Sequence, residues 1–125
     1  MIDDYFDHII TDLITSEIVD DFVFLKKKVT VSDGYLRVRV SLIKNTLLEI
    51  SIYCQSKRSA VELVDYRFHW QDHDGRLIKR WDNARHHPQL SSYPDHVHVG
   101  HDANVLSSGK MDFQKLLRIL KESLL

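Results

Sequence analysis

A single cysteine, Cys54, stands among 125 residues, so the chain can close no disulfide on itself and offers no cysteine-rich zinc knuckle. So sparing a use of thiols fits a reducing compartment, and a cytoplasmic location is the expectation. No run of about 18 apolar residues occurs, which leaves no segment for a spanning helix and no membrane partner. The start, Met1-Ile2-Asp3-Asp4, has neither a basic segment nor a long apolar stretch, so no signal peptide is expected. The GxSxG, P-loop, GxGxxG and HExxH patterns are missing too, which sets aside the nucleophile-elbow hydrolases, the phosphate-cradling loops and the helical zinc proteases. Both prolines, Pro88 and Pro94, fall in one segment near residue 90.

What is present suits a globular chain. A hydrophobic fraction of 43% and a charged fraction of 28% are ordinary for a protein with a buried core, and the length predicts one domain over residues 1–125. Ile2, Tyr5, Phe6, Ile9, Ile10, Leu13 and Ile14 recur at three- and four-residue spacing and predict an N-terminal helix with an acidic outer face. From about residue 22 the period falls to two. Strands are predicted up to the Ser32-Asp33-Gly34 turn, through Leu36, Val38, Val40 and Leu42, through Leu48, Ile50, Ile52 and Cys54, and through Tyr66, Phe68 and Trp70. Asp72-His73-Asp74-Gly75 marks a hairpin into Arg76–Asp82. Residues 102–110 read as loop, and Asp112 caps a second amphipathic helix carrying Phe113, Leu116, Leu117, Leu120 and Leu124. The expected fold class is α+β: an antiparallel β-meander of about five to six strands, with an N-terminal and a C-terminal helix packed on one face.

The same alternation assigns the opposite face. It gathers Lys26, Lys28, Arg37, Arg39, Tyr53, Arg67 and His69, a basic surface carrying aromatic rings. A solvated face of an antiparallel sheet is polar in any case, but the excess of bases over acids goes further than that. The net charge of −1 hides a segregation: residues 1–21 hold seven acids and no Lys or Arg, while residues 22–58 hold eight bases against Asp33 and Glu49. Such a face suits a phosphodiester backbone and stacked bases, so RNA is the expected ligand, with Trp81 added either as a further stacking surface or as a core anchor.

The densest chemistry lies between Arg80 and Gly100, where His86, His87, His96 and His98 fall within 13 residues, just after Arg80, Trp81 and Asp82. Three readings remain open. His96 and His98, two apart on a strand, could bind a divalent metal such as zinc, completed by His86 or His87 with Asp82 or His69; His87, His96 and His98 form the smallest set. Alternatively no cofactor is needed. His69, His86, His87, His96 and His98 then supply a base and an acid for attack by a 2′-hydroxyl, Arg37, Arg67 and Arg80 hold the phosphoryl oxygens, and Asp82 orients an imidazole. In the third reading the segment is a rigid surface loop. His8, His73 and His101 look peripheral, and Cys54, on an apolar strand face, is no nucleophile.

Taken together, Tyr66-Arg67-Phe68-His69-Trp70-Gln71-Asp72, Arg80-Trp81-Asp82-Asn83-Ala84, His86-His87-Pro88 and Tyr93-Pro94-x-His96-x-His98-Val99-Gly100 resemble the TumE-type toxins of bacterial and archaeal toxin–antitoxin systems. The resemblance spans nearly the whole chain. Arg85 stands where proline is expected, and Asp95 where such sequences often carry another histidine, which leaves His96 and His98 as the pair in this loop. The resemblance implies a small cytoplasmic growth inhibitor encoded beside a DNA-binding, helix-turn-helix antitoxin, and it leaves a homodimer open. By analogy with other small α+β toxins, the expected activity is endoribonucleolytic, with a non-catalytic inhibitory binding module as the remaining alternative.

Overall fold

Alternating apolar residues in one long stretch of chain build one sheet here. A computed structural model describes all 125 residues. The order of elements is α1 (Ile2–Thr15), β1 (Val19–Val29), β2 (Asp33–Leu42), β3 (Thr46–Lys57), β4 (Ala60–Gln71), β5 (Leu77–Asp82), β6 (His96–Val99), β7 (Val105–Ser107) and α2 (Phe113–Leu124). Every strand pairs antiparallel with the next, giving an open seven-stranded meander in chain order. The α+β expectation holds, with seven strands in place of five to six. The additional strand is β7, in the stretch read as loop; it is three residues long and mostly exposed, so it carries no alternation to read.

One face of the sheet is apolar. Leu36, Val38, Val40, Leu48, Ile50, Ile52, Cys54, Phe68 and Trp70 join Phe6, Ile9 and Leu13 of α1 and Phe113, Leu116, Leu117 and Leu120 of α2 in a core cluster of 23 buried residues. Asp112 caps α2 by accepting from the Lys115 N–H at 2.8 Å. The helices are tied to each other where Gln114 Nε2 donates to Asp12 Oδ2 at 2.6 Å. Neither helix is long and apolar enough to cross a membrane.

Trp81 belongs to this core. It is only 4% exposed and lies among the apolar side chains beneath the helices, so it is not available as a stacking platform for bases. Strand alternation dictates this: Trp81 pairs with Phe68 across β4–β5, and Phe68 is a core residue.

Gly34 is where α1 meets the sheet most closely. A Cβ at this position would lie 2.5 Å from Ile2 Cγ2 and 3.0 Å from the Phe6 ring. Gly34→Ala is therefore expected to push α1 off the sheet and cost about 1–3 kcal/mol in urea unfolding. Gly109→Ala, where nothing lies within 4 Å, is the control and should stay within about 0.5 kcal/mol.

Candidate functional site

The open face of the sheet is organised in cross-strand rows. One runs Lys26, Arg37, Ser51, Arg67, Asp82, His96; a second runs Arg39, Glu49, His69, Arg80, His98; a third pairs Tyr35, Tyr53 and Asp65. The residues predicted for the polar face thus share it. Lys26 Nζ sits 5.2 Å from the centroid of the Tyr35 ring. Glu49 takes up part of the basic charge: it pairs with Arg39 at 3.1 Å and with Arg37 at 3.8 Å. Tyr53 donates to Asp33 Oδ2 at 2.9 Å and is held in place by it. Arg67 is exposed and pairs with no carboxylate.

At the β5–β6 end of the rows, a buried carboxylate gathers the cluster. Asp82, the last residue of β5, sits opposite His96 on β6 and Arg67 on β4. Its Oδ1 lies 2.8 Å from His96 Nε2 and accepts the Ala84 N–H at 3.0 Å; its Oδ2 is 3.4 Å from Arg80 Nε and 3.6 Å from His98 Nε2. The loop of residues 83–95 then brings His87 over both strand imidazoles, with ring centroids 4.8 Å from His96 and 5.7 Å from His98.

Backbone carbonyls fix the tautomers. His96 Nδ1 lies 2.8 Å from the Pro94 carbonyl and His98 Nδ1 2.8 Å from the Asp102 carbonyl. A carbonyl only accepts, so both Nδ1 atoms carry hydrogen. Nε2 of His96 then faces a second acceptor in Asp82. His98 differs, because its Nε2 is beyond hydrogen-bond reach of Asp82 and keeps a lone pair. Burial pushes the His98 imidazole below its ordinary value of 6.5, reinforced by the Arg80 charge, although the Asp102 carbonyl and the Asp82 charge pull the other way.

The supporting residues explain the neighbouring sequence. Asn83 takes the place of a strand partner just past the end of β5: its Oδ1 accepts the Tyr66 N–H at 3.0 Å and its Nδ2 donates to the Val64 carbonyl at 2.9 Å. Asp95 accepts the Tyr66 hydroxyl at 2.6 Å, which anchors the loop just before His96. Burial and the Asp95 carboxylate push the Tyr66 phenol well above its usual range. Asp102 opens the stretch that the sequence reads as loop. It supplies both the carbonyl for His98 and a carboxylate 2.8 Å from Arg80 Nη1, and the Arg80 guanidinium holds its carboxyl below the usual range. Only a chain turn after β6, invisible to residue spacing, makes that pairing.

Of the sites predicted from sequence, Arg80, Asp82, His87, His96 and His98 come together. His86 is exposed at the rim, and His69 lies one strand over, beside Arg80, with Nε2 3.0 Å from Gln71 Oε1 and a buried Nδ1 that has no partner. Burial lowers the His69 imidazole. A groove of about 690 Å³ runs between the open face at Tyr53 and Arg67 and the His87 loop, with the cluster at its end. Arg67 and the imidazoles therefore border the same volume.

The description Toxin TumE belongs to a family model that matches residues 6–124, nearly the whole chain. No curated protein and no solved structure matches it.

Two measurements check this geometry. Nitrogen NMR should find hydrogen on Nδ1 of both His96 and His98, with His98 titrating below 6.5. For stability, the folded chain binds protons at His69 and His98 less readily than the unfolded chain does. Their contribution is complete above the unfolded value and is lost as pH falls through the folded values, so acidification from about pH 7 to about pH 5 should lower the urea midpoint. His69→Gln should make that dependence shallower; an unchanged slope counts against the burial of His69.

Proposed function

The chain belongs to the TumE toxin family, which makes it the toxin of a toxin–antitoxin pair, and we propose that it acts by cleaving RNA through metal-independent acid–base chemistry. The observation carrying this reading is the convergence of His87, His96 and His98, the last two beside Asp82, on a groove bordered by the unpaired Arg67. Cleavage by a 2′-hydroxyl needs a base, an acid and positive charge at phosphorus, and these groups provide all three.

His98 Nε2, with its lone pair, takes the proton of the 2′-hydroxyl as that oxygen bonds to phosphorus. The bond from phosphorus to the 5′-oxygen breaks, and His87, protonated and least enclosed of the three, gives its proton to the leaving oxygen. A 2′,3′-cyclic phosphate and a 5′-hydroxyl result. Arg67 holds the phosphoryl oxygens. His96 is 2% exposed and bound to Asp82, so it serves as a positioning residue, as do Asp82, Arg80 and Asp102. Lys26, Lys28, Arg37, Arg39 and Tyr53 extend the surface for the strand. A cognate antitoxin of the DNA-binding helix-turn-helix kind would silence the toxin by laying acidic or apolar groups in this groove.

The purified chain, freed of antitoxin and held in excess EDTA, is expected to cut single-stranded RNA and leave 2′,3′-cyclic phosphate ends. His98→Ala and His87→Ala should each lower the rate by about 100- to 10,000-fold. RNA left intact in EDTA, with the fold verified, would sink the proposal. Arg67→Gln should weaken RNA binding across sequences and flatten the logarithmic salt dependence by roughly 0.7; an unchanged slope would remove Arg67 from the phosphate path.

A further inference from the structure

We infer that His87, His96 and His98, with Asp82 as a fourth donor, form a binding site for a zinc-class divalent ion, and that the ion blocks the site. The blocking clause rests on the ribonuclease reading; the binding does not.

Three features carry the inference. First, one ring nitrogen from each histidine lies within 4.8 Å of the others, the grouping expected of an unclosed ligand set. Ligands about 2.0–2.1 Å from a tetrahedral ion stand roughly 3.4 Å apart, so the set needs to contract by an ångström or more. His87 can supply that movement, because it lies on the loop while its two partners lie on β6.

Second, the two strand imidazoles are already oriented as ligands. Each has its Nδ1–H tied to a backbone carbonyl at 2.8 Å, which leaves both Nε2 atoms pointing to the same side of the sheet, toward Asp82. An outer carbonyl that fixes the tautomer and the ring angle is what a metal-ligating histidine ordinarily has. Packing alone would not require the same arrangement at both rings.

Third, the charges suit a cation. Three neutral imidazoles and one carboxylate reduce a dication to a net charge of about +1 in a half-enclosed place. Arg80, the nearest fixed positive charge, is shared between two carboxylates, with Nε 3.4 Å from Asp82 and Nη1 2.8 Å from Asp102. The ion would also take over the Nε2 of His96, which now faces Asp82 Oδ1 at 2.8 Å. The groove gives it an entry path.

Ion and substrate chemistry compete for the same electrons. A ligated His98 has no lone pair for a 2′-hydroxyl, and a ligated His87 cannot carry a proton to a leaving oxygen. A bound ion therefore holds the enzyme off until it is removed.

The test is titration of the untagged chain with Zn²⁺ against a chromophoric chelator, together with visible spectra of the Co²⁺ form. One ion should bind per chain, and Co²⁺ should give the absorption of a four-coordinate nitrogen–oxygen site. His87→Ala is the informative variant because the side chain is only half buried and no strand depends on it. Its affinity should fall by more than about 100-fold, beyond the roughly 10–100-fold that loss of a supporting residue costs. His73→Ala, in an exposed hairpin, should bind like the parent. Absence of saturable binding, or equal affinities for the two variants, overturns the site. In the second arm, Zn²⁺ should suppress RNA cleavage with the same half-saturation as binding, and EDTA should restore it. Faster cleavage with Zn²⁺ overturns the blocking role. Tight binding with no cleavage in EDTA keeps the site and removes the ribonuclease reading; cleavage in EDTA with no binding does the reverse.

Discussion

Asp82 is the constraint from which the rest of the site follows. A carboxylate taken out of water costs several kcal/mol unless its oxygens are satisfied, and Asp82 is 6% exposed. Its partners come from three places: His96 across the strand pair, Arg80 two residues back on its own strand, and the Ala84 N–H just after it. Each partner is in turn held elsewhere, His96 by the Pro94 carbonyl and Arg80 by Asp102. A buried ion cluster of this kind is poor evidence for stability, since desolvation offsets most of the attraction. What it does provide is position: removing the carboxylate would leave His96 Nε2 without its 2.8 Å neighbour and Arg80 short of an acceptor.

The sheet makes that arrangement cheap to build. Neighbouring strands lie about 4.8 Å apart, and side chains two apart on a strand share a face. Placing Asp82 opposite His96 and Arg80 opposite His98 therefore brings four functional groups together without any unusual backbone. The third histidine, His87, comes instead from the 83–95 loop, which Asn83 and Asp95 pin at its two ends through Tyr66. A rigid pair and an adjustable third group suit proton transfer, and they suit closure around an ion for the same reason.

Much of this was legible in the sequence. The alternation in β2, β3 and β4 assigned both faces correctly, the helical spacing gave α1 and α2, and the pairing of His96 with His98 on one face followed from their separation alone. The misses have physical causes. β7 is three residues with no apolar partner face to show a period, and its pairing with β6 is the only thing that makes it a strand. Trp81 was open to two readings because the residue type suits both stacking and burial; the β4–β5 register, with Phe68 opposite, decides for burial. Asn83 holds backbone groups of β4 and Asp102 pairs with Arg80 on β5, both far away in the chain, and no spacing rule reports such contacts. Asp95 shows the converse: a carboxylate where another imidazole was expected takes up a structural hydrogen bond to Tyr66.

The charge segregation read along the chain becomes segregation in space. The acids of α1 project from the outer side of a helix whose inner side, Ile2, Phe6, Ile9 and Leu13, lies against the core, while the bases of β1, β2 and β4 gather on the opposite face. Screening at physiological salt confines such fields to about 8 Å, so what matters is which charges remain uncompensated near the groove. Glu49 offsets Arg37 and Arg39 in the middle of the sheet. Arg67 is left without a carboxylate at the cluster, and Lys26 stands over Tyr35 at the far end of the same face. The uncompensated bases thus stand toward the two ends of the face, with Tyr35 and Tyr53 between them, while the centre of the sheet is locally balanced.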